Sequence, residues 1–262
     1  MNKEAAKIFS RIILADKPVR IKLLGDSITH GHSGTGFRTD GDAIIPGSFR
    51  NPNGYCWANL LRDYLQSRYN CQVVNNGICG VYTQFLIDRF DELVDDADDI
   101  ILCMIGTNDR HQWESSGPKK TKQQRMQEVY TDILNLEEKL RKAGKPTVFM
   151  VSVPAEGVYE AEESATDEEG RYWRQLHMDD IRDLYVKASI ERDFPLIDHY
   201  TYFREYCRDN GVALSELLKD GCHPNDRGYE LMFRFILKEL GLALPILLKI
   251  ICCRGGHWPP LP

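Results

Sequence analysis

Five short β-prone runs recur along the chain at Val19–Leu24, Cys71–Asn75, Asp99–Ile105, Thr147–Val153 and Phe194–Asp198, with helix-length segments between them. Strands that alternate with helices imply a parallel sheet covered on both faces. Right-handed crossovers leave few ways to wind such a sheet, and the strand order 2-1-3-4-5 is the economical one. The clearest helix is Lys119–Ala143, where Met126, Val129, Tyr130, Ile133, Leu136 and Leu140 recur at spacings of three and four and Gly144 follows. Further helices are predicted over Lys3–Ala15, from about Tyr55 to Tyr69 with Asn53 as a candidate cap, and over Tyr82–Val94 and Arg171–Arg192. Tyr202–Asn210, Leu214–Leu218 and Asp226–Leu240 complete the set.

Two segments have no steady period. His32–Gly54 is rich in Gly, Asp and Pro and reads as a long loop able to wall a substrate pocket. Pro154–Gly170 carries Glu156, Glu160, Glu162, Glu163, Asp167, Glu168 and Glu169, the composition of a solvated loop. At 262 residues the chain suffices for one α/β domain, expected over 1–240, with 241–262 as a tail apart. The tail's apolar stretch is broken by Pro245 and Lys249, and it is shorter than the roughly 20 residues a bilayer span needs.

A net charge of −6 argues against a nucleic-acid partner, which calls for a basic face. The eight cysteines include no Cys-x-x-Cys pair and several sit in apolar runs, which favours reduced thiols. Residues 1–14 hold no apolar core of signal-peptide length, so a cytoplasmic location is expected.

The chemistry-bearing residues cluster where the expected strands end. The first strand runs into Gly25-Asp26-Ser27-Ile28, which delivers a serine hydroxyl to the carboxyl edge of the sheet, where ligands of open α/β sheets bind. Strands two and three flank strand one in the expected order, so Gly80 and Asn108 come up on either side of Ser27. Backbone amides at Ser27 and Gly80 and the side-chain amide of Asn108 are donors of the kind that stabilise an oxyanion. Gly77 competes with Gly80 for that place; Gly80 is preferred. Asp220-x-x-His223 supplies a base for the serine and a carboxylate able to reach its Nδ1. Each fragment alone could be an ordinary turn or cap. His30 and His32 stand two apart and could hold a metal, but no further ligands accompany them in the sequence. No Gly-x-Ser-x-Gly, Walker loop or His-Glu-x-x-His occurs.

Taken together, Gly25-Asp26-Ser27-Ile28, Gly80, Gly106-x-Asn108-Asp109 and Asp220-x-x-His223 resemble the four blocks of the SGNH (GDSL-type) hydrolases, in family order over Gly25 to His223. The resemblance implies a three-layer, flavodoxin-like α/β/α fold and a serine esterase needing no metal or cofactor. Ser27 would be the nucleophile, His223 the base, Asp220 its orienting acid, and Gly80 and Asn108 would complete the oxyanion hole with the Ser27 amide. The polar Ser33–Gly54 insert points to a small acyl group, acetyl in first place, on a carbohydrate or related polar ester. A lysophospholipase or thioesterase for longer chains, an acyltransferase with the same triad, and a silent binding protein on this scaffold are the alternatives.

Overall fold

A computed structural model describes residues 1–113, 117–160 and 172–242. Five parallel strands form its centre: β1 (Val19–Gly25), β2 (Cys71–Gly77), β3 (Ile100–Met104), β4 (Thr147–Val151) and β5 (Leu196–Asp198). They lie in the order β2-β1-β3-β4-β5, as the alternation predicts. The helices are α1 (Lys3–Ile13), α2 (Ser27–His30), α3 (Trp57–Gln66), α4 (Thr83–Asp88), α5 (Phe90–Leu93), α6 (Lys122–Lys142), α7 (Met178–Arg192), α8 (His199–Asn210) and α9 (Asp226–Glu239).

Successive strand residues point to opposite faces, and each face has its own core. Ile100, Leu102 and Met104 of β3, with Val148 and Met150 of β4, pack beneath α1, α3, α8 and α9. Ile101, Cys103, Phe149 and Val151 pack on the other side beneath α4 to α7. Burying each such side chain contributes about 1.5–3 kcal/mol, so the two apolar layers hold the sandwich together. Lys22 is the exception inside β1: it is buried, and its Nζ lies 2.9 Å from Asp95 and 3.2 Å from Asp98. A buried ammonium persists only when paired in this way.

The register sets Gly25 beside Gly77 on one side and beside Met104 on the other, so β1, β2 and β3 end at one level. Directly above them α2 sits down on the sheet. A Cβ on Gly77 would lie 2.2 Å from the His30 amide nitrogen, and one on Gly25 would lie 2.1 Å from Thr29 Oγ1. Only glycine permits that approach.

The structure departs from the sequence reading at several points. The His32–Gly54 loop contains a small antiparallel ribbon, Ala43–Ile45 with Ser48–Phe49, too short to show a period. Asn53 does not cap α3; Cys56 occupies that position without a side-chain bond. The predicted Tyr82–Val94 helix breaks at Arg89 into α4 and α5. The predicted Arg171–Arg192 helix starts only at Met178, because residues 172–174 pair as a strand with His111–Trp113. Residues 161–170 of the acidic loop and 243–262 of the tail lie outside the described residues. Among the described residues no helix is long and apolar enough to cross a membrane.

Two outcomes test this packing. Gly77→Ala forces a methyl into the backbone of α2 and should cost about 1–3 kcal/mol in urea or thermal unfolding. Asp132 of α6 has its carboxyl pushed up to about 7, first by burial and then by Asp109 and Glu128. The native carboxyl therefore holds its proton to higher pH than the unfolded one, so its contribution to stability is full in acid and is lost as pH rises toward 7. Asp132→Asn should raise Tm at pH 8 and raise it less at pH 5.

Candidate active site

Asp26 caps the single turn of α2: its Oδ1 accepts from the Ile28 amide at 2.9 Å. Burial raises the carboxyl of Asp26, and the Ile28 amide and Thr107 oppose that rise. The cap fixes Ser27 as the first helical residue, and Gly31, at φ +97°, ends the turn with its N–H on the Ser27 carbonyl. The Ser27 hydroxyl emerges 2.8 Å from Nε2 of His223.

His223 arrives from the far end of the chain in a closed turn. The Lys219 amide donates to the His223 carbonyl at 2.8 Å, and Leu218 bridges Pro224. The other ring nitrogen, Nδ1, is 2.7 Å from Asp220 Oδ2. Asp220 Oδ1 accepts from the backbone amides of His223, at 2.8 Å, and Cys222, at 3.0 Å. Partial burial alone would raise the Asp220 carboxyl, but the bonds from the His223 amide and ring and from Cys222 outweigh it and hold it below the usual range. The carboxylate is thus charged wherever the protein is folded near neutrality, and it orients the imidazole. Ser27, His223 and Asp220 form one hydrogen-bonded chain.

Gly77 and Gly80 separate on geometry. Gly77 ends β2, and the space of its missing side chain is filled by α2. Gly80 lies beyond the strand at φ +78°, with nothing within 4 Å of where a Cβ would be. Asn108 begins a short 3-10 turn four residues after β3 and donates from Nδ2 to the Val81 carbonyl at 2.8 Å. That bond ties the segment after β3 to the one after β2 and leaves the second amide N–H of Asn108 available. Asp109 anchors the same turn: its carboxylate accepts from the amide and hydroxyl of Thr83.

Sequence reasoning passed over several residues that frame this site. Arg110 is fully buried, and its guanidinium donates to the Thr107 and Tyr159 carbonyls and to Glu160, with Cys222 Sγ 3.9 Å away. It therefore joins the Asn108 turn, the segment after β4 and the Asp220–His223 turn. Glu160, read in the sequence as part of a solvated acidic loop, in fact receives Arg110, the His177 ring at 2.6 Å and the Met178 amide at 3.1 Å. The Glu156 amide donates to the Gly221 carbonyl at 2.8 Å, holding the second turn against this segment. Adjacency of Arg110 to Asn108-Asp109 is the only signal of it in the sequence. His32, weighed in the sequence only as a metal-ligating partner of His30, also frames the site: its ring lies against that of His223, with centroids 4.4 Å apart. His30 meets Cys79, Nδ1 to Sγ 3.2 Å, and its ring lies, like that of His32, 5.3 Å from Phe37 between centroids.

Residues 23–231 match the model of the GDSL-like Lipase/Acylhydrolase family. Among solved structures, the acetylxylan esterase Axe2 from Geobacillus stearothermophilus is similar in fold: TM-score 0.60 and 20% identity over 87% of this chain and 96% of that one. The acetyl xylan esterase AlAXEase superposes with TM-score 0.58 and 18% identity, over 84% of this chain and 98% of that one. No match is found among curated protein sequences. With the matched residues spanning β1 to α9, the chain belongs to the GDSL-like lipase/acylhydrolase family and is an ester-cleaving serine hydrolase.

Proposed function

We propose that the protein removes small acyl groups, acetyl foremost, from carbohydrate or similarly polar esters through an acyl-Ser27 intermediate. The observation that carries this reading is the hydrogen-bonded chain from Ser27 through His223 to Asp220. The Ser27 hydroxyl attacks the ester carbonyl while His223 Nε2 takes its proton. Asp220 keeps the Nδ1 proton in place and stabilises the imidazolium. Negative charge on the former carbonyl oxygen is met by the amides of Ser27 and Gly80 and the free N–H of Asn108. Collapse expels the alcohol, which takes the proton from His223. Water, deprotonated by the same imidazole, then releases the acid and restores Ser27.

Three further points support the roles and the substrate class. The open space beside Gly80 leaves room for an acyl group close to its backbone. The loop after α2, Ser33–Gly54, is rich in glycine and polar residues rather than in large apolar ones, a composition suited to sugar hydroxyls rather than to a long acyl chain. The similar Geobacillus enzyme is an acetylxylan esterase, and its serine, aspartate and histidine variants are described as catalytic mutants, the same three residue types as here.

Wild-type protein should label with a fluorophosphonate probe and hydrolyse p-nitrophenyl acetate faster than the longer esters. Ser27→Ala should lose labelling and about 10⁴-fold or more of turnover with Tm retained. Labelling that survives in Ser27→Ala would remove the assignment, and faster turnover of long chains would remove the substrate class. Asn108→Ala should lower kcat by about 10²–10³-fold with a smaller change in KM, since its free N–H acts on charge that develops only in the transition state.

A further inference from the structure

The acyl chemistry just described makes no use of His32, yet its imidazole is packed against the base, the two planes inclined by 45°. One donor atom each from His32, His223 and Asp220 lie within 4.8 Å of one another. Two imidazoles and a carboxylate form the donor set of a borderline-soft divalent cation such as Zn²⁺, and three protein ligands with room for water is the form an open zinc site takes. A hard cation would find a single carboxylate there, too few oxygens to bind well.

His32 is also held in place. Its amide donates to the Ser27 carbonyl at 2.9 Å, and its carbonyl accepts from the Tyr229 hydroxyl at 2.6 Å. The ring is flanked by Phe37, 5.3 Å away between centroids. Nδ1 lies 3.0 Å from Ser33 Oγ; with the proton of Nδ1 given to that oxygen, the lone pair sits on Nε2. An imidazole whose second nitrogen is tied to an oxygen is the usual arrangement of a metal ligand.

We propose that His32, His223 and Asp220 form a site for a Zn²⁺-like transition cation whose binding switches the hydrolase off. The inference rests on His223 being the base. Ligation occupies a lone pair of its ring and so removes the capacity to accept the Ser27 proton. Any proton displaced from the imidazole and carboxylate goes to water. The cation is thus an inhibitor of the esterase and takes no part in its chemistry.

The test uses chelator-stripped full-length protein, with ZnCl₂ and MgCl₂ titrated in parallel by calorimetry and against p-nitrophenyl acetate hydrolysis. Zinc should bind one to one and suppress turnover, EDTA should restore it, and magnesium should do neither. His32→Phe keeps a ring against His223 but offers no donor. Measured against its own zinc-free rate, its half-inhibiting zinc concentration should rise about 10-fold or more, and calorimetry should show the same loss of affinity. His32→Ala should repeat the result if the larger ring disturbs the fold. Cys79→Ser, which removes the nearby thiol, should be inhibited like the wild type. Half-inhibition unchanged in both His32 variants overturns the proposal, as does zinc binding that leaves turnover intact. Calorimetry on Ser27→Ala reads the site without any ester. A chain that hydrolyses through Ser27 but binds no zinc therefore removes this inference and leaves the esterase assignment standing.

Discussion

A seam without side chains lies under the whole arrangement. At Gly25 and Gly77 the backbones of β1 and β2 meet the first turn of α2 so closely that a methyl group on either would overlap it, at 2.1 and 2.2 Å from the nearest atom. Interiors are packed near crystal density, and a misfit of this size cannot be absorbed by a small rotation. Because the turn is seated that low, the Asp26 cap closes within the protein and the Ser27 hydroxyl leaves the sheet at its carboxyl edge. Raise α2 by the thickness of one methyl group and the hydroxyl loses its distance to His223. Asn75 reinforces the seam: its side-chain amide donates to the Thr29 carbonyl at 3.0 Å, and its oxygen takes the Gly77 amide at 2.9 Å.

Charge inside the protein is handled by the same close pairing. Arg110 carries a guanidinium with no exposure, and removing a partner from such a group leaves an uncompensated buried charge. Its acceptors come from three separate segments, so its satisfaction requires those segments to be together. That makes Arg110 a device for assembly: the turn bearing Asn108 and the turn bearing Asp220 and His223 are each held to the segment after β4, and through it to each other. Gly221, at φ +88° and with a Cβ position 2.8 Å from the Glu156 carbonyl, shows how tightly the second turn is drawn in.

These two features mark where the sequence is legible and where it is not. Ile100 to Met104, buried on both faces, can be recognised as a strand from its own composition, and the order of the sheet follows from handedness. Ser27, Asn108, Asp220 and His223 are legible because each stands in a short run next to a strand end or in a tight turn. What escapes is whatever depends on a partner far along the chain. Glu160 looks solvated among its acidic neighbours until Arg110 and His177 are seen beside it. Tyr172–Arg174 reads as the start of a helix because nothing local announces that it pairs with His111–Trp113. The ribbon at Ala43–Ile45 and Ser48–Phe49 is simply shorter than any period. His32 carries no local sign that it faces His223, from which 190 positions separate it.

That separation raises the question of what keeps the serine and the histidine at hydrogen-bond distance, since each is rigid only within its own turn. The answer lies in α9, which begins three residues after His223. Asp226, in its first turn, accepts from the Thr35 amide at 2.8 Å, and Tyr229, one turn on, donates its hydroxyl to the His32 carbonyl at 2.6 Å. Both contacts grip the chain just after α2, whose first residue is Ser27. The body of α9 meanwhile packs Tyr229, Met232 and Ile236 into the core beneath α1 and α3. The two halves of the hydrogen-bonded chain are therefore fixed to one helix, anchored in turn by the larger apolar layer. A single well-aligned hydrogen bond contributes only about 0.5–1.5 kcal/mol and could not by itself order two distant segments. The 2.8 Å contact between Ser27 and His223 is thus a consequence of the packing of α9, and its geometry persists because the core bears the entropic cost of closing the loop between them.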